Sequence, residues 1–582
     1  MEPSEAGRHV RYAADEKPPA PLAFGLGLQL AMLTIAGIVL TPSIVIRAGG
    51  GSDSYLSWAA FAAVAVCGVT TVVQAVRVGR IGAGYVLLMG TSGAFIAVCI
   101  GAMAQGGPAL LATLVVISSF FQFALAARLS LVRRIFTPSV AGTVIMLIAV
   151  TVMPIIFDML DKAPEGAPPL AAPVSAGITM AVIVAIALAA TGVWRLWAPV
   201  IGVVVGSAVG AAFGIYDLER VASAAWVGFP EGGWPGFDLE FGPAFWTLLP
   251  AFVLVTLVGA IETVGDSIAI QHVSWRERRA VDYRAVEGAV AADGLGNLLS
   301  GIFGTVPNTT YSTSISVTEL TGVAARRVGI AVGIIFLILA LLPKALAIVL
   351  AVPGPVVAAY ATVLLAMLFV VGMRIVVQDG LDYRKGLVVG VSFWIGVGFQ
   401  NGVIFPGFFA DFAGGLLQNG MTAGGAAAII LTLCLEAAKP RRSRMETAFD
   451  GSAIGPVSAF LRTFASRNGW AEGMQERLDA IGEETLLTLV EQNDDREITG
   501  PRRLRVSASR EEGGAVLEFV VAAGEESNLE DRIALLGEHT AGTPVEHEIS
   551  LRLLRHLASS VRHQQYHDTD VVTVHVKALD RR

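Results

Sequence analysis

The chain has 582 residues and a formal net charge of -7, with 54% hydrophobic and only 15% charged residues. Soluble chains carry about a quarter charged residues, so a globule of this size would lack the polar material to cover its surface. The composition therefore predicts a membrane protein, and the negative charge, with basic residues in short scattered clusters, argues against a nucleic-acid partner.

The first 21 residues are predicted to form a polar tail. They mix acidic, basic and proline residues ahead of the first apolar run, and they lack the basic, apolar and small-residue regions of a signal peptide. Residues 1–21 are therefore predicted to be an N-terminal tail on the cytoplasmic side.

Residues 22–438 form a nearly unbroken series of apolar stretches. A spanning helix with its loop takes roughly thirty residues, so this length fits about fourteen crossings. Basic residues lie mainly after even-numbered stretches, as at Arg77, Arg80, Arg326 and Arg327, which is typical of cytoplasmic loops. We therefore predict an all-α polytopic membrane domain with both termini in the cytoplasm. The predicted segments comprise residues 22–45, 56–76, 84–103, 108–127, 138–157, 170–193, 197–215, 244–271, 286–304, 309–320, 328–350, 353–373, 386–400 and 417–437.

Two of these segments are rich in Gly, Ser, Thr and Pro, where a plain spanning helix would contain Leu and Val. They are residues 82–97 and 304–322. Discontinuous helices leave free backbone N–H and C=O groups at mid-membrane depth, which can hold a polar substrate. One such segment in each half of the chain predicts an inverted repeat. Close helix packing explains Gly90 and Gly93 equally well, but it explains the polar run 308–314 poorly.

Glu262 and Asp266 lie in the eighth apolar segment. An acid at the centre of a spanning helix costs about 2.5 to 3.5 kcal/mol on insertion scales, so each such residue needs a reason to be there. The i, i+4 spacing places both carboxyl groups on one helical face. We predict a substrate and proton site here; the alternative is a pair of acids satisfied by contacts with neighbouring helices.

In four stretches the chain resembles the nucleobase/ascorbate transporters, which include the uracil and xanthine permeases. The stretches are LQLAMLTIAGIVLTPSIV, MGTSGAFIA, VGAIETVGDSIAIQHVS and GIFGTVPNTTYSTSISVTELTGVAARRVG. The likeness covers residues 22–438. It implies fourteen segments arranged as two inverted repeats of seven, in which a core domain of segments one to four and eight to eleven moves against a gate domain in an elevator motion. It also implies a homodimer.

The resemblance assigns roles to individual residues. Glu262 matches an acid that accepts N–H groups from the base ring, and Asp266 matches a nearby position linked to proton coupling. The turn that contacts the ring matches Ser92, Gly93, Ala94 and Phe95.

The chain departs from the family pattern at two places. Thr313 and Ser314 occupy substrate-binding positions where the family has Glu or Gln and then Asn, and Gln29 is followed by Leu30 where a histidine is common. A hydroxyl cannot form the two-pronged contact of an amide or a carboxylate, so the ligand can differ from uracil or xanthine.

These features predict a secondary active transporter in the plasma membrane, a proton symporter for a nucleobase such as uracil or xanthine or for a similar polar heterocycle. One alternative is a small-anion transporter of the same fold, and another is a membrane sensor that signals through its C-terminal region. Sodium is the alternative coupling ion, because Asp266, Thr313 and Ser314 offer oxygen ligands. No enzyme motif, cofactor site or metal site is predicted. The cysteines lie inside apolar runs and are interpreted as small hydrophobic residues: Cys67, Cys99 and Cys434.

Residues 439–582 are predicted to form a small cytoplasmic α+β domain of regulatory type. The composition turns charged and mixed after the basic residues Lys439, Arg441, Arg442 and Arg444. Helices are predicted at 471–490 and 549–561, and strands at 504–508, 515–522 and 571–576. This part resembles the ATP-binding domain of histidine kinases and anti-sigma regulators, with Thr488 at the position of the magnesium-binding Asn; a STAS-like domain is the alternative. The histidines of this region are predicted to lie at the surface or at helix ends: His556, His563 and His567.

Overall fold

The computed structural model describes the chain in two compact units, Met1–Arg276 with Ala285–Glu436 and Glu277–Arg284 with Ala437–Arg582. The described residues run from 10 to 577, except 130–136, 162–163, 165, 231, 278, 379, 381, 406–418, 439–441, 492–502, 512–513, 523–527 and 536–544. Residues 1–9 of the predicted polar tail, and the basic residues Lys439 and Arg441, therefore lie outside the described residues.

The first unit consists mainly of long apolar helices, with two short strands. In chain order the elements are α1 (Ala20–Ala48), α2 (Asp53–Val76), β1 (Leu88–Thr91), α3 (Ile96–Ala127), α4 (Pro138–Leu160), α5 (Ala171–Ala189), α6 (Val193–Ala212), α7 (Leu218–Ser223), α8 (Pro243–Val273), α9 (Tyr283–Ile302), β2 (Asn308–Tyr311), α10 (Thr313–Thr321), α11 (Arg326–Ala340), α12 (Pro343–Leu350), α13 (Gly354–Gln378), α14 (Tyr383–Gln400) and α15 (Gly420–Ala438). Among the described residues, nine helices are long and apolar enough to cross a membrane, or ten if the bent pair α11 and α12 counts as one.

The helices and strands of the first unit follow the order of the predicted membrane segments. The third and fourth share α3, which is interrupted at Gly107 (φ 71°, ψ -164°) directly before Pro108. The tenth consists of β2 and the short helix α10, so each half of the unit contains a strand followed by a helix start, as the predicted inverted repeat requires.

The predicted segment 328–350 consists of two helices with a sharp bend between them. The chain bends by 85° between α11 and α12. Leu342, the residue before Pro343, has non-helical dihedral angles (φ -113°, ψ 78°). Proline lacks a backbone N–H group and disfavours the helical conformation of the residue before it, which explains the break.

The helices of the first unit pack in two groups. In one group α1, α2 and α11 contact one another, α3 packs along α8, and the strands β1 and β2 lie among them. In the other group α13 packs along α4 and α5, with α6 and α14 beside them. These two groups correspond to the core and gate domains.

The second unit contains a five-stranded antiparallel sheet with the strand order β3-β4-β5-β7-β6. Its elements are β3 (Ser443–Ala448), α16 (Ile454–Arg467), α17 (Glu472–Glu491), β4 (Arg503–Glu511), β5 (Gly514–Ala522), α18 (Leu529–Leu535), α19 (Val545–Leu557), β6 (Ser560–Gln565) and β7 (Thr569–Lys577). Alternate residues of the central strands, including Val506, Leu517 and Val574, are fully buried in one core with Leu461 and Leu478 of the helices.

Two predictions for this region are corrected by the structure. The helix predicted at 549–561 ends at Leu557, and residues 560–565 form the strand β6. His563 is therefore not at the surface: it is 3% exposed, and its Nδ1 accepts a hydrogen bond from the backbone N–H of Leu529 at 3.0 Å. The period-2 pattern of β6 is short and polar, which is why a helical continuation was predicted.

Candidate functional site

The two interrupted segments meet in a two-stranded antiparallel ribbon. β1 and β2 pair with Gly90 opposite Thr309 and Thr91 opposite Asn308. The backbone N–H of Ser92 extends the ribbon by donating to the carbonyl oxygen of Pro307 at 2.9 Å. Within a membrane every backbone polar group needs a partner, and each strand of the ribbon supplies the partners of the other. A helix follows each strand, α3 after β1 and α10 after β2, so two helix N-termini lie near the ends of the ribbon.

Gly90 is required by the packing of the ribbon. A Cβ atom at this position would lie 2.2 to 2.5 Å from ring atoms of Tyr311, so the ring lies directly against the glycine backbone. The Tyr311 hydroxyl donates to the carbonyl oxygen of Thr91 at 2.8 Å. Gly90 therefore allows close packing of an aromatic ring on a strand, which differs from the helix packing that the alternative interpretation of the sequence gave.

Glu262 and Asp266 lie on α8 beside the ribbon, and both are partly buried. The Thr310 hydroxyl, in β2, donates to Asp266 Oδ2 at 2.8 Å. In contrast, Glu262 forms no hydrogen bond with any residue that the structure describes. The two acids therefore differ: Asp266 is held by the protein, whereas the Glu262 carboxyl group is available to a ligand.

Asp293, on α9, is a third acid of this region, and the sequence reasoning missed it. It is 1% exposed, and its Oδ2 accepts hydrogen bonds from Gln122 Nε2 at 2.6 Å and from the Thr263 hydroxyl at 2.9 Å. The Thr263 hydroxyl also lies 3.4 Å from that of Thr310, the donor to Asp266. Two threonine hydroxyls thus connect Asp266 with Asp293.

The hydrogen-bonded network continues from Gln122 to the ribbon. Asn297 Nδ2 donates to Gln122 Oε1 at 2.7 Å, and Asn297 Oδ1 accepts from the backbone N–H of Asn308 at 2.8 Å. The network therefore joins α3, α8, α9 and β2. The signal that identified Glu262, an acid within a membrane segment, was equally present at Asp293 and would have found it.

The predicted turn residues are largely buried beside α8. Ser92, Ala94 and Phe95 are each at most 3% exposed. The Phe95 ring lies 6.4 Å from the ring of Phe252 on α8, measured between centroids. In this conformation the ring therefore packs against α8, and the half-buried Gly93 is the turn residue that leaves its backbone accessible.

Thr313 and Ser314 begin the helix α10. The Ser314 hydroxyl donates to the carbonyl oxygen of Tyr311 at 3.0 Å and accepts from the backbone N–H of Leu88 at 3.3 Å. It therefore connects the end of β2 with the start of β1. Thr313 is half-buried at the helix start, where no side chain caps the N-terminus. The described residues contain no group of three His, Cys, Asp or Glu side chains that could hold a metal ion.

Comparisons with known proteins agree on one family. A family model described as the Permease family matches residues 23–403. The xanthine permease XanP of Escherichia coli is 28% identical over 449 residues, which cover 72% of this chain and 94% of XanP. The uric acid permease PucK of Bacillus subtilis is 27% identical over 434 residues, covering 72% of this chain and 97% of PucK.

A solved structure is similar in fold. The murine anion transporter Slc26a9, in its inward-facing state, superposes with a TM-score of 0.50 at 13% sequence identity. The match covers 75% of this chain and 71% of that chain. At this level of identity the likeness concerns the fold alone.

Proposed function

The chain belongs to the permease family, and from this premise we propose that it is a secondary active transporter of a nucleobase, such as xanthine or uracil, or of a similar polar heterocycle. It is a multi-pass membrane protein and a transporter, not an enzyme. The similar proteins XanP and PucK are named for xanthine and uric acid, which are planar rings with N–H and C=O groups.

The observation that carries the proposal is the carboxyl group of Glu262, which has no hydrogen-bond partner in the described part of the chain. A carboxylate accepts two parallel N–H bonds, the pattern that the edge of a nucleobase presents. The N-terminus of α10, without a capping side chain, offers backbone N–H groups to the carbonyl oxygens of the same ring. Glu262, Gly93 and Thr313 are proposed to contact the substrate directly. Ser92, Ala94, Phe95 and Ser314 are proposed to shape the site behind them.

Proton coupling is proposed for the same group of acids. No ion pair joins Glu262, Asp266 or Asp293 to a basic side chain in the part of the chain that the structure describes. Burial disfavours the charged form of a carboxyl group, and a bound N–H donor favours it, so substrate and proton occupancy become linked. An elevator movement of the core against the gate, in a homodimer of the plasma membrane with both termini in the cytoplasm, would expose this site alternately to each side.

Uptake into proteoliposomes tests the proposal. Radiolabelled xanthine, uracil and uric acid are offered with and without an inward proton gradient, to the native chain, to Glu262→Gln and to the control Glu319→Gln, whose side chain is exposed on α10. We expect gradient-driven accumulation of at least one base, lost in Glu262→Gln and retained in the control. Binding without uptake would indicate a sensor. Uptake that depends on a sodium gradient and not on the proton gradient would identify sodium as the coupling ion.

A further inference from the structure

One edge of the sheet in the second unit presents a cluster of arginines on a single face. In the β3–β4 pair, Arg444 lies opposite Ser507, Glu446 opposite Arg505, and Ala448 opposite Arg503. Directly opposed and alternate residues of an antiparallel pair share a face, so the three arginines project from the same side. All three are exposed. We call Arg444, Arg503 and Arg505 the basic face.

The other side of the same two strands belongs to the core. Leu504, Val506 and Ala508 of β4 are fully buried against the helices of the domain. The strands are thus held by apolar packing on one side only, and the basic face is not needed to fill the core.

The basic face is only partly neutralised. Arg503 Nη1 lies 3.5 Å from Glu446 Oε1, but the two side chains are 77% and 45% exposed, and such exposed pairs are weak. No ion pair involves Arg444 or Arg505 among the described residues. Arg444, Glu446 and Arg505 line a surface hollow of about 470 Å³. The face therefore keeps a net positive charge around a concavity that can accept an anionic group.

The connection between the last membrane helix and the sheet edge that carries the basic face is short. The last membrane helix, α15, ends at Ala438, and β3 begins at Ser443. Five extended residues span at most about 18 Å. The connecting sequence also includes the basic residues Lys439 and Arg441, whereas Arg442 is paired with Glu518 of β5 at 3.4 Å. The negative surface potential of a leaflet that contains anionic lipid extends about 10 Å into solution, and a connection this short allows basic groups of the domain to come within that range.

Topology signals do not explain the whole cluster. Basic residues influence the orientation of a membrane segment within about 15–20 residues of its end. That rule accounts for the residues from Lys439 to Arg444, but Arg503 and Arg505 come much later in the chain. Only the pairing of β4 with β3 brings them beside Arg444.

We propose that the basic face binds the headgroups of anionic lipids in the leaflet from which α15 emerges, and that this contact holds the C-terminal domain at the membrane surface. Guanidinium groups suit this role because each can donate two parallel hydrogen bonds to a phosphate group. The inference concerns a surface separate from the transport site and does not depend on the substrate.

Chemical footprinting of arginines in nanodiscs tests this proposal. The full-length protein is placed in nanodiscs of phosphatidylcholine alone or with 30% phosphatidylglycerol, and the rate of modification by phenylglyoxal is read for each arginine by peptide mass spectrometry. We expect phosphatidylglycerol to slow modification of Arg444, Arg503 and Arg505 by at least about threefold, and high salt to reverse the effect. Arg555, exposed at the end of α19, should keep its rate.

Variants and a soluble anion complete the test. In Arg503→Gln/Arg505→Gln the protection of Arg444 should disappear, whereas the control Arg552→Gln/Arg555→Gln, which removes the same charge from α19, should retain it. Equal rates in both kinds of nanodisc would overturn the proposal. Equal protection by inorganic phosphate in phosphatidylcholine nanodiscs would also overturn it, because the face would then be a site for soluble anions.

Discussion

Replacing Asp293 tests whether its carboxyl group holds α9 to α3 and α8. The side chain is 1% exposed and accepts hydrogen bonds from Gln122 at 2.6 Å and Thr263 at 2.9 Å. In Asp293→Ala both buried donors lose their acceptor, at about 1–3 kcal/mol each, so the free energy of unfolding should fall by about 2–6 kcal/mol. Asp293→Asn keeps the shape and a carbonyl oxygen that can accept both bonds, but its NH2 group would replace Oδ1, a buried atom without a hydrogen-bond partner among the described residues. Its loss should therefore be about 1–3 kcal/mol, smaller than that of Asp293→Ala.

Thermal unfolding in nanodiscs measures the difference between these variants. We expect the apparent Tm of Asp293→Ala to fall by several degrees, and that of Asp293→Asn to fall clearly less. Glu319→Ala, which removes an exposed acid from α10, is the control and should not change the Tm. If Asp293→Ala has the same Tm as the native protein, or if Asp293→Asn lowers the Tm as much as Asp293→Ala, the two hydrogen bonds are not the source of the stability.

Three further predictions concern the ribbon, the α8 contact and the C-terminal domain. Gly90→Ala should lower the free energy of unfolding by about 1–3 kcal/mol, because its Cβ would lie 2.2 Å from the Tyr311 ring. In a double-mutant cycle with Tyr311→Ala, the double variant should lose less stability than the sum of the two single variants, and additive losses would contradict the contact. Thr310→Val removes the donor to Asp266 and should lower uptake in the proteoliposome assay, whereas Thr310→Ser should preserve it; equal uptake by both would exclude a role for the hydroxyl. Burial, with a smaller contribution from a nearby arginine, lowers the pKa of His563 from 6.5 to about 4. As the pH falls, the imidazole of His563 is therefore protonated in the unfolded chain before it is protonated in the folded domain. The free energy of unfolding of the domain should decrease by up to about 3 kcal/mol between about pH 6.5 and about pH 4. Hydrogen exchange of the domain's peptides should show the loss in the native chain and not in His563→Gln.

The sequence predicted much of the membrane fold because hydropathy is a local property. A long apolar stretch predicts a membrane segment wherever it lies in the chain, and the Gly, Ser and Thr-rich interruptions marked where a helix could not be continuous. The break between α11 and α12 was missed, although Pro343 was visible, because the flanking residues are apolar and keep the average hydropathy high.

The site was predicted in part. The i, i+4 spacing of Glu262 and Asp266 follows from helical geometry and needs no tertiary information. Their difference in hydrogen bonding does need it, because the donor to Asp266 is Thr310 of β2. In the C-terminal domain, likewise, the polar strand that contains His563 carries too little apolar periodicity to be separated from the helix before it.

The sequence by itself determined that this chain is embedded in a membrane, the order of its segments, where two of them are interrupted, and which acids share a helical face. Only the tertiary structure decided that the interruptions pair as a ribbon, that two threonine hydroxyls connect Asp266 with Asp293, and that Arg503 and Arg505 join Arg444 on one face. The physical reason is the range of the interactions. Hydropathy and helical period act between near neighbours in the chain, whereas these contacts join residues that are far apart in sequence and meet only through packing.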